Sequence, residues 1–211
     1  MKRRENKKIS PFGRNDKWGR DESVQTGRRV AIAVLGPAFS VFIFIVLCYN
    51  DLMKKLKLYL ETSVWNFYFA DDAPEKKEIT HAFFTKIKSG SYDIHISDVV
   101  LEEIGKAPEA KRTLLLNIIT EHSPQRLTLN EEIAELAQKY LTEGVLPENK
   151  LEDALHAAAA TVYEMDALIS WNLKHLSNFK KMEMINGINL KEGYLKRLEL
   201  ITPMEVSDEE I

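Results

Sequence analysis

Cysteine occurs once, at Cys48, in 211 residues. A single thiol excludes a disulfide framework and a cysteine-based zinc site. The five histidines form no HxxxH or HExxH pattern, so the usual histidine spacing for zinc is missing too. Neither GxGxxG nor GxxxxGK[ST] occurs, which sets aside a nucleotide-binding loop of either sort. There is no GxSxG, so a hydrolase built on a serine elbow lacks its nucleophile motif. No internal repeat is visible.

What is present divides near residue 53. Residues 1–52 carry ten Lys/Arg against five Asp/Glu, or +5. Residues 53–211 carry nineteen against twenty-seven, or −8, within an overall charge of −3. Hydrophobic residues make up 45% of the chain, enough for a real core. The first part is a basic tail followed by "VAIAVLGPAFSVFIFIVLCY", Val30 to Tyr49, twenty residues without a charge. That length spans a bilayer core. No A-x-A site follows it, and Leu47 rather than a small residue precedes Cys48, so signal cleavage and lipoprotein processing lack support. Basic residues flank both ends and give no firm orientation. Two readings stand: a transmembrane helix, or an extension upstream of a true start at Met53. Either way, residues 53–211 form one domain.

That domain alternates strand and helix patterns. Strands are expected at Lys57–Glu61, in "YDIHISD", "QRLTL", "ALIS" and "LELIT". The helix in "DDAPEKKEITHAFFTKIKSG" should be capped by Asp72 or a neighbour, carry Pro74 in its first turn and stop at Gly90. Its apolar face is Ile79, Phe83 and Ile87. A helix capped by Ser97 or Asp98 covers "DVVLEEIGKA", and others cover "EAKRTLLLNIIT" and "NEEIAELAQKYLTEG". "LPENKLEDALHAAAATVYEMD" is the clearest helix, with Leu151, Leu155, Ala158, Ala159 and Val162 as its core stripe. "WNLKHLSNFKK" reads as helical. Short strands separated by helices imply an α/β domain of three layers, α/β/α, around a short, mostly parallel sheet.

In such sheets functional groups collect beyond the carboxyl ends of the strands. Strand one there delivers Glu61, then Thr62 and Ser63; strand two delivers Ser97 and Asp98, then Glu102 and Glu103 on the next helix. Strand four delivers Ser170, Trp171 and Asn172, and the long helix before it carries Asp153. Each residue alone has a plainer reading. Glu102 or Glu103 is a solvated helix charge, Asp153 favours the positive end of its helix, and Asn172 caps the next one. His156, three residues after Asp153, reads as a surface or hydrogen-bonding histidine rather than a ligand. The ordered set carries more. Carboxylates converging on one cleft repel each other unless a divalent cation neutralises them. Oxygen donors favour Mg²⁺ or Mn²⁺. Such ions activate water and steady charge on a phosphoryl group, so phosphodiester hydrolysis is the natural reaction class.

From about Met53 onward, "LYLETSVWNF", "ISDVVLEEI", "LEDALHAAAATVYEMDALISWNLKHL" and "LELITPMEV" resemble the PIN domain, and specifically the VapC-like toxins of type II toxin–antitoxin pairs. "DALHAAAA" followed by "LISWN" is the most specific piece. The resemblance implies an endoribonuclease using Mg²⁺ or Mn²⁺, with RNA as substrate, an antitoxin as partner, a homodimeric assembly and a cytoplasmic location. A membrane location follows only if Val30–Tyr49 is translated and anchors the chain. By position, Glu61 stands where the family has the Asp of an LDTS pattern. Glu103, with Glu102 as the alternative, is the helix Glu, and Asp153 is the Asp of the DAL motif. Asn172 takes the fourth place, where many relatives have Asp and some have Asn. Glu61, Glu103 and Asp153 are then the metal ligands, and those three with Asn172 the catalytic set. Glu61 is one methylene longer than the usual Asp, and Asn172 removes one charge. These departures leave open a module that keeps the fold and has lost catalysis. The −8 of the domain argues against broad nonspecific nucleic-acid binding, so Lys111, Arg112, Lys174, Lys180 and Lys181 would guide the RNA.

Overall fold

The computed structural model describes residues 55–172 and 179–207. Val30–Tyr49, Met53, Lys174 and the junction between the tail and the domain lie outside the described residues. Among the described residues, no helix is long and apolar enough to cross a membrane.

All five expected strands form: β1 (Leu56–Leu60), β2 (Tyr92–Ser97), β3 (Gln125–Leu127), β4 (Ala167–Ile169) and β5 (Glu199–Ile201). Every pairing is parallel, in the order β3-β2-β1-β4-β5. The chain steps outward from β1 to β3 and then returns to the other side of β1 for β4 and β5. This reversal beside β1 opens a crevice at the carboxyl ends of β1 and β4.

Helices α1 (Thr62–Phe67), α2 (Pro74–Lys88), α3 (Asp98–Gly105) and α4 (Glu109–His122) link the first three strands. Helices α5 (Glu131–Thr142) and α6 (Leu151–Val162) make the return crossover. Helices α7 (Phe179–Lys191) and α8 (Pro203–Ser207) flank β5. Right-handed crossovers place the two crossover sets on opposite faces of the sheet, giving the three-layer α/β/α arrangement. The core is closed by Tyr59, Trp65, Phe83, Tyr140 and Leu168, all fully buried. Helix α3 also touches α6, and that contact sets the site.

Several local expectations are corrected. The apolar residues after Glu61 belong to the six-residue helix α1, which buries Val64 and Trp65. Helix α2 begins with Pro74 as expected, but its N-cap is Ala73 and no side chain caps it; Asp72 is exposed. Ser97 occupies the N-cap of α3 without capping it. Its hydroxyl is taken by Tyr59 Oη at 2.6 Å. Asp98 instead accepts from Arg126 Nε at 2.6 Å and Leu129 N at 3.2 Å. Asn130 does cap α5, accepting from Ile133 N at 2.9 Å.

The core stripe expected for α6 holds only in part: Ala158 and Ala159 are fully buried, but its larger residues are not. Leu151 is 45% exposed, and Leu155 and Val162 are only half-buried. The buried side also takes in Asp153, His156, Ala157 and Ala160, a three-four-seven spacing on one face. The alanines let α6 sit close to its neighbours, so its most buried positions need not be its largest residues. Two of them are polar because that end of the face meets the crevice.

Candidate functional site

The β1–β4 register pairs Leu60 with Ile169. The ladder continues one step further, with Glu61 N donating to Ile169 O at 3.1 Å. Glu61 and Ser170 therefore leave adjacent strands side by side. Ser170 Oγ donates to Glu61 Oε2 at 2.9 Å, and Ser63 Oγ donates to the same oxygen. Ser63 in turn accepts Trp171 N at 2.8 Å, tying the start of α1 to the end of β4. Glu61 is only 5% exposed. Its carboxylate is held within the crevice by two hydroxyls, which answers part of the cost of burying it.

Glu103 reaches the crevice from α3. Thr62 Oγ1 and His156 Nε2 both donate to its Oε2, the latter at 3.0 Å. The neighbouring Glu102 is exposed. Burial pushes the Glu103 carboxyl up, but the His156 hydrogen bond and charge, the Thr62 hydroxyl and the Lys106 charge outweigh it and hold it below the usual carboxylate range. His156 is 0% exposed. Burial opposes its charged form, yet the Glu103 hydrogen bond and the Glu61, Glu103 and Asp153 charges lift it above the ordinary histidine value.

Asp153 enters from the first turn of α6 and is buried. Its Oδ1 accepts Asn172 Nδ2 at 3.2 Å. Asn172 N donates to Ser170 Oγ at 2.8 Å, so a hydrogen-bonded path runs from Asp153 through Asn172 and Ser170 to Glu61. Asp153 Oδ2 is buried and accepts no hydrogen bond; Lys150 Nζ stands 3.7 Å from it, too long to be one.

The structure thus brings all four expected residues, Glu61, Glu103, Asp153 and Asn172, to one end of the sheet. It adds one more group. Ligand atoms of Glu61, Glu103 and His156 lie within 4.8 Å of one another. Asp153 is outside that trio but joined to it through Asn172 and Ser170. The three carboxylates share one feature: protein donors hold one oxygen of each. Among the described residues no hydrogen bond reaches the Oε1 of Glu61 or Glu103, or the Oδ2 of Asp153. Such a set of anchored carboxylates, each with one oxygen left without a hydrogen bond, fits a hard divalent cation.

Thr62 and Ser63 anchor Glu103 and Glu61. The part played by Tyr59 was not foreseen: its hydroxyl meets His156 Nδ1 at 2.6 Å. Its place two residues before Glu61, on an inward strand position, is the only signal the sequence offered. A cavity of about 450 Å³ elsewhere is lined by Leu56, Tyr92, Ala167 and Glu199. These are the first residues of four strands, so that cavity lies at the end opposite the carboxylates.

A family model for the PIN domain matches residues 58–182, more than half of the chain. No curated protein matches the chain. Among solved structures, it is similar to VapBC2 from Rickettsia felis bound to a DNA fragment from the promoter, with 17% identity and a TM-score of 0.45. That match covers 70% of this chain and 98% of that one. It is also similar to VapBC-1 from nontypeable Haemophilus influenzae, with 14% identity and a TM-score of 0.46. There the coverage is again 70% of this chain and 98% of that one.

Proposed function

This chain belongs to the PIN domain family, and from that premise we propose that it is a divalent-cation-dependent endoribonuclease, the toxin of a toxin–antitoxin pair. The observation that carries the reading is the set of three anchored carboxylates, each with one oxygen that takes no hydrogen bond, at the reversal point of the sheet. Glu61, Glu103 and Asp153 are the residues that would hold Mg²⁺ or Mn²⁺. When bound, such an ion lowers the pKa of water and neutralises charge on a phosphodiester.

The chain's own groups have separate tasks. Ser63 and Ser170 fix Glu61; Thr62 and His156 fix Glu103; Asn172 fixes Asp153 through its amide. In this reading Asp153, whose buried Oδ2 takes no hydrogen bond, would also orient the attacking water. Asn172 is a donor to a carboxylate rather than a fourth acid. RNA approaches a domain of net negative charge, so contact depends on local cations such as Lys111 and Lys180, both exposed, and Arg112 and Lys181, both half-buried. The antitoxin is a second protein, and the working form is a homodimer. The nuclease unit is residues 53–211 in the cytoplasm, with membrane attachment if Val30–Tyr49 anchors it.

The second reading is a module that keeps the fold without cleavage. Glu61 in place of Asp and Asn172 in place of a fourth acid favour it. Incubating the full chain with total transfer RNA, with Mn²⁺, with Mg²⁺ and with a chelator, separates the two. Cutting that needs the ion supports the nuclease. Absence of cutting and of bound ion supports the module.

A further inference from the structure

His156 presents a nitrogen to the carboxylate cluster, which makes it a candidate ligand by distance. Its bonding argues otherwise. Nε2 is committed to Glu103 Oε2 at 3.0 Å, and Nδ1 to Tyr59 Oη at 2.6 Å. Tyr59 Oη is itself joined to Ser97 Oγ at 2.6 Å. No ring nitrogen is left to coordinate an ion. The chain Ser97–Tyr59–His156–Glu103 instead runs from the end of β2, across β1 and α6, to α3. Ser97, Tyr59 and His156 are all fully buried, so water does not compete for these bonds.

Glu103 needs such a device. A glutamate on a helix beside a crevice has three rotatable bonds and is free to turn to solvent, as the exposed Glu102 does. Thr62 and His156 grip the same oxygen of Glu103 from two different elements. That leaves Oε1 as the open oxygen and fixes where it sits. We propose that His156 is a positioning residue, held by Tyr59 and Ser97, that sets the orientation of Glu103 for cation binding. The inference rests on the nuclease reading above, because it supposes that Glu103 is a ligand.

The test is Mn²⁺ affinity of the full chain, read by paramagnetic resonance of the free ion, with circular dichroism as a check of folding. Loss of a partner that orients a ligand typically weakens metal binding about 10–100-fold. His156→Ala is expected to lose affinity in that range. His156→Gln keeps an amide N–H near the place of Nε2 and is expected to restore most of it. Tyr59→Phe leaves the ring buried but frees Nδ1, and is expected to fall between wild type and His156→Ala.

Wild-type affinity in His156→Ala would overturn the proposal, as would equal losses in His156→Ala and His156→Gln, which mark a packing role. If His156→Ala does not fold, Tyr59→Phe decides, and unchanged affinity there overturns the proposal. If the wild-type chain binds no Mn²⁺, the functional reading itself falls and this inference with it.

Discussion

Asn172 donates its side-chain amide to Asp153 Oδ1 at 3.2 Å, across nineteen positions of sequence. The residue in the fourth place of the site thus steadies a carboxylate where an aspartate would repel it. Asn172→Asp should therefore destabilise the ion-free protein, by about 1–3 kcal/mol for a lost bond to a charged group. It should also gain more thermal stability from Mn²⁺ than wild type does. Melting curves in chelator and in Mn²⁺ check both; a variant equally stable in each condition would contradict this role for Asn172.

Glu61→Gln is nearly isosteric, and its amide oxygen can still accept from Ser63 and Ser170. The fold should survive within about 1 kcal/mol. Mn²⁺ binding and RNA cutting should each fall by about 100-fold or more, since a charge facing the ion is lost. Retained cutting with an intact fold would make Glu61 a structural residue.

Glu102 and Glu103 are neighbours with opposite environments. Glu102 is exposed, whereas Glu103 is bonded to Thr62 and His156. Glu102→Gln should leave cutting at the wild-type rate, and Glu103→Gln should abolish most of it. Initial rates on the same RNA distinguish the two, and the reverse pattern would move the helix ligand one residue back.

Helix capping separates Asn130 from Asp72. Asn130→Ala removes an acceptor for Ile133 N and should cost about 1 kcal/mol. Asp72→Ala removes no cap and should leave the melting temperature unchanged. Neither lies among the site residues, so cutting should be unaffected in both.

Strand positions were legible because each short apolar run is bounded by polar residues, and the five runs form the five strands. That made Glu61, Ser170 and Asn172 readable as residues leaving the ends of strands. The reading failed where the answer depends on distant partners. Ser97 looked like a cap, but Tyr59, thirty-eight positions away, takes its hydroxyl. Leu151 looked like core because it is apolar on an apolar helix. The face that is buried is chosen by the crevice, and it favours Asp153 and His156. His156 reads from the sequence as a surface or hydrogen-bonding histidine; it is fully buried, and it binds Glu103 from fifty-three positions away. Helix α1 was hidden because six residues of mixed polarity carry too little periodicity to show.

The most direct test is RNA cutting by the full chain in Mn²⁺ beside its Asp153→Asn variant, on a total transfer-RNA pool. Asn keeps the shape of Asp153 and an oxygen for the Asn172 amide while removing the charge. The account predicts cuts in the wild type that vanish in chelator and in the variant. Equal cutting by both proteins, or cutting that persists without a divalent ion, would contradict it.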